Sequence, residues 1–492
     1  MNNKQNILDL KSGDFYEGIV KILRKAKPGP VIFNVTDGKG NIEAVIKDSN
    51  FEADDVVKIS GIAAERLGKL RIEIEKISKS EMDFEKILDD LSNPVRTEFS
   101  IQSERYNLMK QRFLEIAKRI RKAIFSNQPI MIRHHNDSDG INSGLAIEHS
   151  CRELMEKVGI NPEYNLYRSP SKAPFYEITD VFRDIIQSKR IESHDQPKPL
   201  ILVLDNGSTP EDLFGFKSLK LLGYEAIVID HHNPVILNNG KTAVCPYLSL
   251  HLNPYIFGLD SKTSAGMLCY ELARMINENW DNKLMPAVAA LSDRCDIPET
   301  DKYVTNSKKT IAELKDIGVA IDFAAYHLKF DSGKGLLEEL YNTPEIVQMI
   351  NSEVNKGVET QLQSTLPYLR TQDINGIIFS HIDLEKYTLR FTYPTPGKVL
   401  GLIHDQVALG KENSPVITMG YVSDMIIIRA TKPILPVQKI IDMIKLDLPE
   451  ANVDGGGHEM AGTIKFVPAH LTTILERIKQ ELRKINIADF ME

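Results

Sequence analysis

The chain has 492 residues, 42% hydrophobic and 26% charged, a length that suits about three domains and a balance typical of globular proteins. A net charge of -8 excludes a globally basic nucleic-acid binder, so any contact with a polyanion has to come from local patches. Cys151, Cys245, Cys269 and Cys295 show no CxxC spacing, which argues against a disulfide framework and against a cysteine zinc site. No apolar run reaches about 18 residues and the N-terminus lacks a signal-peptide core. The expectation is therefore a soluble, cytoplasmic protein with no membrane contact.

From about Gly13 to Ser80, short β-like runs alternate with turns: Phe15 to Leu23, Val31 to Val35, Ile42 to Ile46, Val56 to Ile62 and Arg71 to Ile77. Strands of this number and spacing resemble an OB-fold, a small barrel that often binds single-stranded nucleic acid. Lys21, Arg24, Lys25 and Lys27, with Phe15, Tyr16 and Phe33 nearby, suit a charged groove with stacking faces; the plainer alternative is barrel core and solvated lysines. Residues 81–127 then read as a helical connector. Met109, Phe113, Ile116, Ile120 and Ile124 recur at three- and four-residue steps and make one apolar face. Its basic residues, Arg105, Lys110, Arg112, Lys118, Arg119, Arg121 and Lys122, are expected mainly in solvent, with phosphate contact as the secondary reading.

Residues 128–300 alternate strand and helix. Pro129 to His135, Pro199 to Asp205 and Tyr224 to Asp230 are near-continuous apolar runs separated by helical segments, the pattern of a parallel sheet buried on both faces. Ligand sites in such sheets lie beyond the carboxyl ends of the strands. The first run ends in His135-Asn136-Asp137-Ser138-Asp139-Gly140, the second in Asp205-Asn206-Gly207 and the third in Asp230-His231-His232, with a later carboxylate at Asp293. Alternation in the hexapeptide lets His135, Asp137 and Asp139 converge on one spot. Taken alone it also suits an Asp-rich turn capping a helix. Carboxylates and histidines closing three consecutive buried strands need compensation, and oxygen-plus-imidazole sets suit divalent metals such as manganese.

That ordered set, His-x-Asp-x-Asp-Gly, Asp-Asn-Gly, Asp-His-His and a later Asp, resembles the DHH phosphoesterase superfamily, which includes RecJ nucleases, oligoribonucleases and family II pyrophosphatases. Asp454-Gly455-Gly456-Gly457-His458-Glu459-Met460-Ala461-Gly462 resembles the glycine-rich signature of the DHHA1 domain. With an OB-like module in front, the pattern is most similar to archaeal RecJ-like exonucleases of the Hef-associated type. The resemblance implies a multidomain α/β protein: OB-like barrel 1–80, connector 81–127, parallel-sheet DHH domain 128–300, helical linker 301–370 and α/β DHHA1 domain 371–492. The linker's Asp331-Ser332-Gly333-Lys334-Gly335 lacks GxxxxGK[ST], so it is not a P-loop.

The resemblance further implies two Mn²⁺ ions, with Mg²⁺ as the alternative metal. His135, Asp137 and Asp205 would hold one; Asp139, Asp205, His231 and Asp293 the other, with Asp296 a substitute for Asp293. Two metals about 3.5–4 Å apart generate a nucleophile at neutral pH and clamp the charge growing on phosphorus. Asp230 would fix an imidazole from behind, and His232 would face the scissile phosphate. In the DHHA1 lobe, Arg429, Gly456, Gly457 and His458 would grip substrate phosphate, the glycines as a loop whose N–H groups approach an anion closely; a surface salt bridge is the plainer reading of Arg429. The nucleic-acid strand is expected between the lobes. The leading reading is a Mn²⁺-dependent, single-strand-specific exonuclease on DNA or RNA in repair or replication, with a Hef-like helicase-nuclease or a replisome component as partner. The alternatives are an oligoribonuclease or small-phosphoester hydrolase, which needs no front barrel, and a Cdc45-like non-catalytic scaffold. Such scaffolds lose ligands, and here every expected position is filled.

Overall fold

The computed structural model describes residues 6–26, 29–171, 173, 175–238, 240–389, 391–411, 414–458 and 460–485. The chain divides into two compact units, residues 1–335 and 336–492.

The first unit opens with β1 (Phe15–Ala26), β2 (Val31–Thr36), β3 (Asn41–Ile46), β4 (Val56–Arg66) and β5 (Lys69–Lys79). They close into an OB-like barrel of order β1-β2-β3-β5-β4, so every strand has two paired edges. Alternate residues point inward, and Tyr16, Ile22, Phe33, Ile59 and Ile72 form the core. This corrects the charged-groove reading. Tyr16 and Phe33 are 2% and 0% exposed, too deep to stack on a base. Lys21 pairs with Glu85 at 2.7 Å and Asp54 at 3.2 Å, and Lys25 with Glu52 at 2.5 Å. Lys27 lies outside the described residues, which leaves Phe15, exposed, and Arg24, half-buried, from that set.

The helix Glu104–Phe125 buries the expected apolar face, Met109, Phe113, Ile116, Ile120 and Ile124. Its basic residues are not a solvated row. Lys110 meets Glu98, Arg112 Glu115, Lys118 Asp89, Arg119 Glu225, Arg121 Glu278, Lys122 Glu85 and Arg105 Asp260. A phosphate backbone would have to displace those carboxylates, so the phosphate-contact reading of this helix falls.

A parallel five-stranded sheet follows: β6 (Ile130–His135), β7 (Leu166–Ser171), β8 (Leu200–Leu204), β9 (Glu225–Ile229) and β10 (Leu250–Leu252), in spatial order β10-β9-β8-β6-β7. Leu200 to Leu204 are all 0% exposed, as a central strand covered on both faces requires. β6, β8 and β9 are adjacent, so their carboxyl ends, and the polar residues closing them, share one edge.

The second unit holds a mixed sheet of β11 (Arg370–Ile374), β12 (Ile377–Asp383), β13 (Val416–Val422), β14 (Met425–Ala430), β15 (Asp454–His458) and β16 (Ala461–Lys465), in order β11-β12-β13-β14-β16-β15. The helices Val437–Asp447 and Leu471–Leu482 pack their isoleucines and leucines on it. The glycine stretch expected as a loop is strand β15, hairpin-paired to β16. Glycine is needed there: a Cβ on Gly455 (φ 149°) would sit 2.1 Å from the Thr463 carbonyl oxygen. A short helix, Leu384–Tyr387, follows β12. No helix among the described residues is long and apolar enough to cross a membrane.

The barrel assignment of Phe33 is testable by substitution. Phe33→Ala is expected to lower stability by about 3–5 kcal/mol, the usual cost of emptying a buried aromatic site. Urea unfolding reads this directly, and a loss below about 1 kcal/mol would place Phe33 outside the core.

Candidate metal centre

The loop after β6 brings two requirements together. Asp137 is the N-cap of the helix Ser138–Lys157, its Oδ1 accepting from the Gly140 N–H at 3.0 Å. Its other oxygen, Oδ2, lies 2.9 Å from His135 Nδ1. The capping and metal-ligand readings of the hexapeptide are therefore compatible, one oxygen serving each. Gly140 is obligatory, because a Cβ there would come within 2.3 Å of the His135 carbonyl oxygen.

Asp205 closes β8 in the left-handed region, at φ 56°, a conformation that costs a non-glycine residue of order 1 kcal/mol or more. In return its carboxylate stands between two imidazoles. Oδ2 is 3.6 Å from His135 Nδ1 and Oδ1 is 3.3 Å from His231 Nε2. His231 Nε2 also lies 3.6 Å from Asp293 Oδ2 and 3.8 Å from Asp139 Oδ2. Its other nitrogen, Nδ1, donates to the Ser261 carbonyl at 2.7 Å, which fixes the tautomer that leaves Nε2 as donor atom toward a cation. Asp139 is held by the backbone N–H groups of Ala265 and Gly266, each at 2.9 Å. Gly266 permits this approach, since a Cβ there would meet Ala289 Cβ at 2.4 Å and Asp139 Oδ1 at 2.8 Å. Asp293 is half-buried beside His231, while Asp296 is exposed, so the geometry places Asp293 in the cluster.

Two triads of donor atoms share Asp205: His135, Asp137 and Asp205, and Asp205, His231 and His232. His232 Nδ1 lies 3.9 Å from Asp205 Oδ1 and donates to Asp230 Oδ1 at 2.7 Å. Asp139 and Asp293 also lie around His231 Nε2 on that side, at 3.8 Å and 3.6 Å. Asp230 also accepts the backbone N–H groups of His231 and His232, so it organises the motif from behind.

The charges are unbalanced as they stand. Burial, with the Asp205 charge, pushes the Asp139 carboxyl well above its usual range. Burial and the neighbouring acids push Asp293 up to about 6. Burial pulls the His135 and His231 imidazoles down, but the surrounding carboxylates override it and raise both. Protons are drawn to where a cation would sit. Asp205 Oδ1 and His135 Nδ1 are, in addition, buried without a hydrogen-bond partner of good geometry. Orphaned donor atoms, carboxylates and tautomer-fixed imidazoles fit a divalent metal.

Three contributors carried no motif signal. Ser208 lies beside Asp230 and helps to hold that carboxyl low. Its Oγ meets His251 Nε2 at 2.9 Å and accepts from Asn253 Nδ2 at 2.9 Å. Asn253 Nδ2 also donates to the His232 carbonyl at 2.9 Å. All three are at most 2% exposed. Isolated Ser, His and Asn residues at strand ends look like any loop polar residue; only their convergence on Asp230-His231-His232 distinguishes them.

In the second unit, Arg429 lies on β14 opposite Thr418 of β13 and Ala461 of β16. Gly456 and Gly457 lie on edge strand β15, beyond β16. The side chain of His458 lies outside the described residues.

Two outcomes are expected. The raised acids and imidazoles bind protons in the metal-free protein, and ligation requires their release. Mn²⁺ affinity should therefore rise with pH across about 5.5 to 8, with proton release detected by calorimetry in buffers of different ionisation enthalpy; pH-independent affinity would contradict the cluster. Asn253→Ala should cost about 1–3 kcal/mol in urea unfolding, through the buried partners left unsatisfied.

The comparisons with known proteins follow this geometry. The family model described as DHH family, N-terminal domain, matches residues 129–292. The uncharacterized protein MJ1198 of Methanocaldococcus jannaschii is 33% identical over 93% of this chain and 67% of its own length. A solved DHH-domain structure, described as belonging to a member of a family of ribosomal proteins, is 35% identical, covers 82% of this chain and 97% of its own, and superposes with a TM-score of 0.79. RecJ of Thermus thermophilus in complex with Mn²⁺ is similar in fold, at 15% identity and a TM-score of 0.53, over 76% of this chain and 55% of its own. The chain belongs to the DHH superfamily and has a RecJ-like fold.

Proposed function

We propose that the protein is a metal-dependent phosphodiesterase that degrades single-stranded DNA or RNA from an end. The observation that carries this reading is the shared position of Asp205 between two donor sets on one sheet edge. His135, Asp137 and Asp205 would hold one ion and Asp139, Asp205, His231 and Asp293 the other. Mn²⁺ is the preferred ion, in line with the RecJ structures described as manganese complexes. Bound there, the ions supply Lewis acidity to a phosphodiester and lower the pKa of water.

The remaining chemistry belongs to the protein. Asp230 accepts from His232 Nδ1 and so leaves Nε2 to meet a phosphate oxygen. Asn253 keeps the His232 backbone in place. Arg429 and the glycines of β15 would neutralise and orient phosphate on the second unit. The barrel supports a strand substrate over a small phosphoester, since a small substrate needs no additional binding module.

The test is incubation with Mn²⁺ and end-labelled single strands of graded length. Progressive shortening is expected, with His232→Ala lowering kcat by about 10²–10⁴ while Mn²⁺ affinity stays near wild type. Absence of degradation at every length with the metal bound would overturn the enzyme reading, and loss of Mn²⁺ binding in His232→Ala would overturn the role given to His232.

A further inference from the structure

The second unit contains a small cavity at the other end of its sheet from the glycine strand. It lies at the β11 edge, whereas β15 forms the opposite edge. Its volume is about 170 Å³, and Tyr368, Arg370, His381, Lys386, Tyr387 and Tyr421 line it. By liquid volume, at about 30 Å³ each, that is space for five or six waters, the scale of one planar ring or one phosphate group.

The lining is chemically consistent. Tyr368 and Tyr387 stack face to face, with centroids 4.0 Å apart and planes 9° from parallel. Each covers one face of the other, so the pair offers its outer faces. Tyr421 and His381 stand 6.2 Å apart with planes 31° apart. Among the described residues, Arg370 and Lys386 form no ion pair, although both lie in a chain rich in acids. Asp383 also lines the cavity, with Oδ1 accepting the backbone N–H of Lys386 as the cap of the helix Leu384–Tyr387. His381 Nδ1 is buried without a hydrogen-bond partner. Burial, with Lys479 and Arg370 nearby, keeps that imidazole below its ordinary pKa, so it is a neutral group suited to hydrogen bonding.

Two cations without ion pairs beside one helix-capping carboxylate, a stacked tyrosine pair and an orphaned imidazole nitrogen call for a ligand that is anionic and aromatic at once. Arginine and lysine bind phosphate by charge-assisted hydrogen bonds, and stacked tyrosines accept any base on their π-face. We propose that this cavity is a nucleotide subsite, taking the base or 5′-phosphate of a single nucleotide against Tyr387 and Tyr421 with Arg370 and Lys386 on its charge. The choice of a nucleotide rests on the nucleic-acid reading above. A strand in transit and a free mononucleotide offer the same chemistry, and the test separates them.

Hydrogen–deuterium exchange on the full chain, in EDTA so that no turnover occurs, reads the site directly. Adenosine 5′-monophosphate and a six-nucleotide oligo(dA) are the probes. Protection of the segments 366–388 and 416–424 is expected with at least one of them. Protection by the oligonucleotide alone assigns a strand subsite; protection by the mononucleotide assigns a free-nucleotide site. The Arg370→Gln/Lys386→Gln double variant should weaken the protecting probe by about tenfold or more, and Tyr421→Leu likewise. Absence of protection at about millimolar probe, or undiminished protection in the double variant, overturns the proposal. Hydrolysis of bis(p-nitrophenyl) phosphate with Mn²⁺, which needs no strand-binding surface, is expected to match wild type in the double variant. Its absence in the wild type would count against the phosphodiesterase reading instead, independently of the exchange result.

Discussion

The arrangement at the sheet edge depends on one electrostatic conflict. Asp205, 1% exposed, shares a confined space with Asp137, Asp139 and Asp293. Two unit charges about 4 Å apart repel by about 4 kcal/mol at an effective dielectric of 20, and burial adds the loss of hydration. A hydrophobic core offers nothing to offset this. Protons drawn onto His135, His231, Asp139 and Asp293 relieve it in part; a divalent cation relieves it far more completely. The same conflict explains why the surrounding backbone is so constrained. Gly140 and Gly266 stand where any side chain would strike the loop or the carboxylate it carries, and Asp205 accepts a left-handed conformation.

The parallel sheet makes that convergence possible. β6, β8 and β9 are neighbours with the same direction, so three segments distant in sequence deliver their polar ends to one edge. Behind the edge, buried partners have no chemistry of their own to perform. Ser261 fixes the His231 tautomer through its carbonyl, Asp230 aims His232, and Ser208, His251 and Asn253 link to one another and to the His232 carbonyl. Removing any of them changes the direction of a donor atom rather than its identity, which is how supporting residues tune a metal site.

Much of this was legible in the chain because the signals are dense. Continuous apolar runs marked the parallel strands, and acids or histidines at their ends marked the edge. β7 and β10 were not anticipated, since Leu166–Ser171 contains Pro170 and Leu250–Leu252 has only three residues. The glycine stretch 454–458 was legible as a motif but not as a strand, because glycine carries no β-propensity and its pairing is imposed by β16. The basic surface was misread for a different reason. Lys21 and Arg119 look solvated in sequence, yet their partners, Glu85 and Glu225, lie 64 and 106 residues away. Long-range ion pairs leave no periodicity. Asp137 combined the two readings of its hexapeptide through its two oxygens, a division that spacing alone does not express.

In the proposed function Asp205 serves two cation positions at once. Anomalous diffraction at the manganese edge, from crystals of the full chain soaked in Mn²⁺, addresses this most directly. Two peaks are predicted, one bounded by His135 and Asp137 and one by Asp139, His231 and Asp293, with Asp205 between them. A single peak away from Asp205, or none, would contradict it.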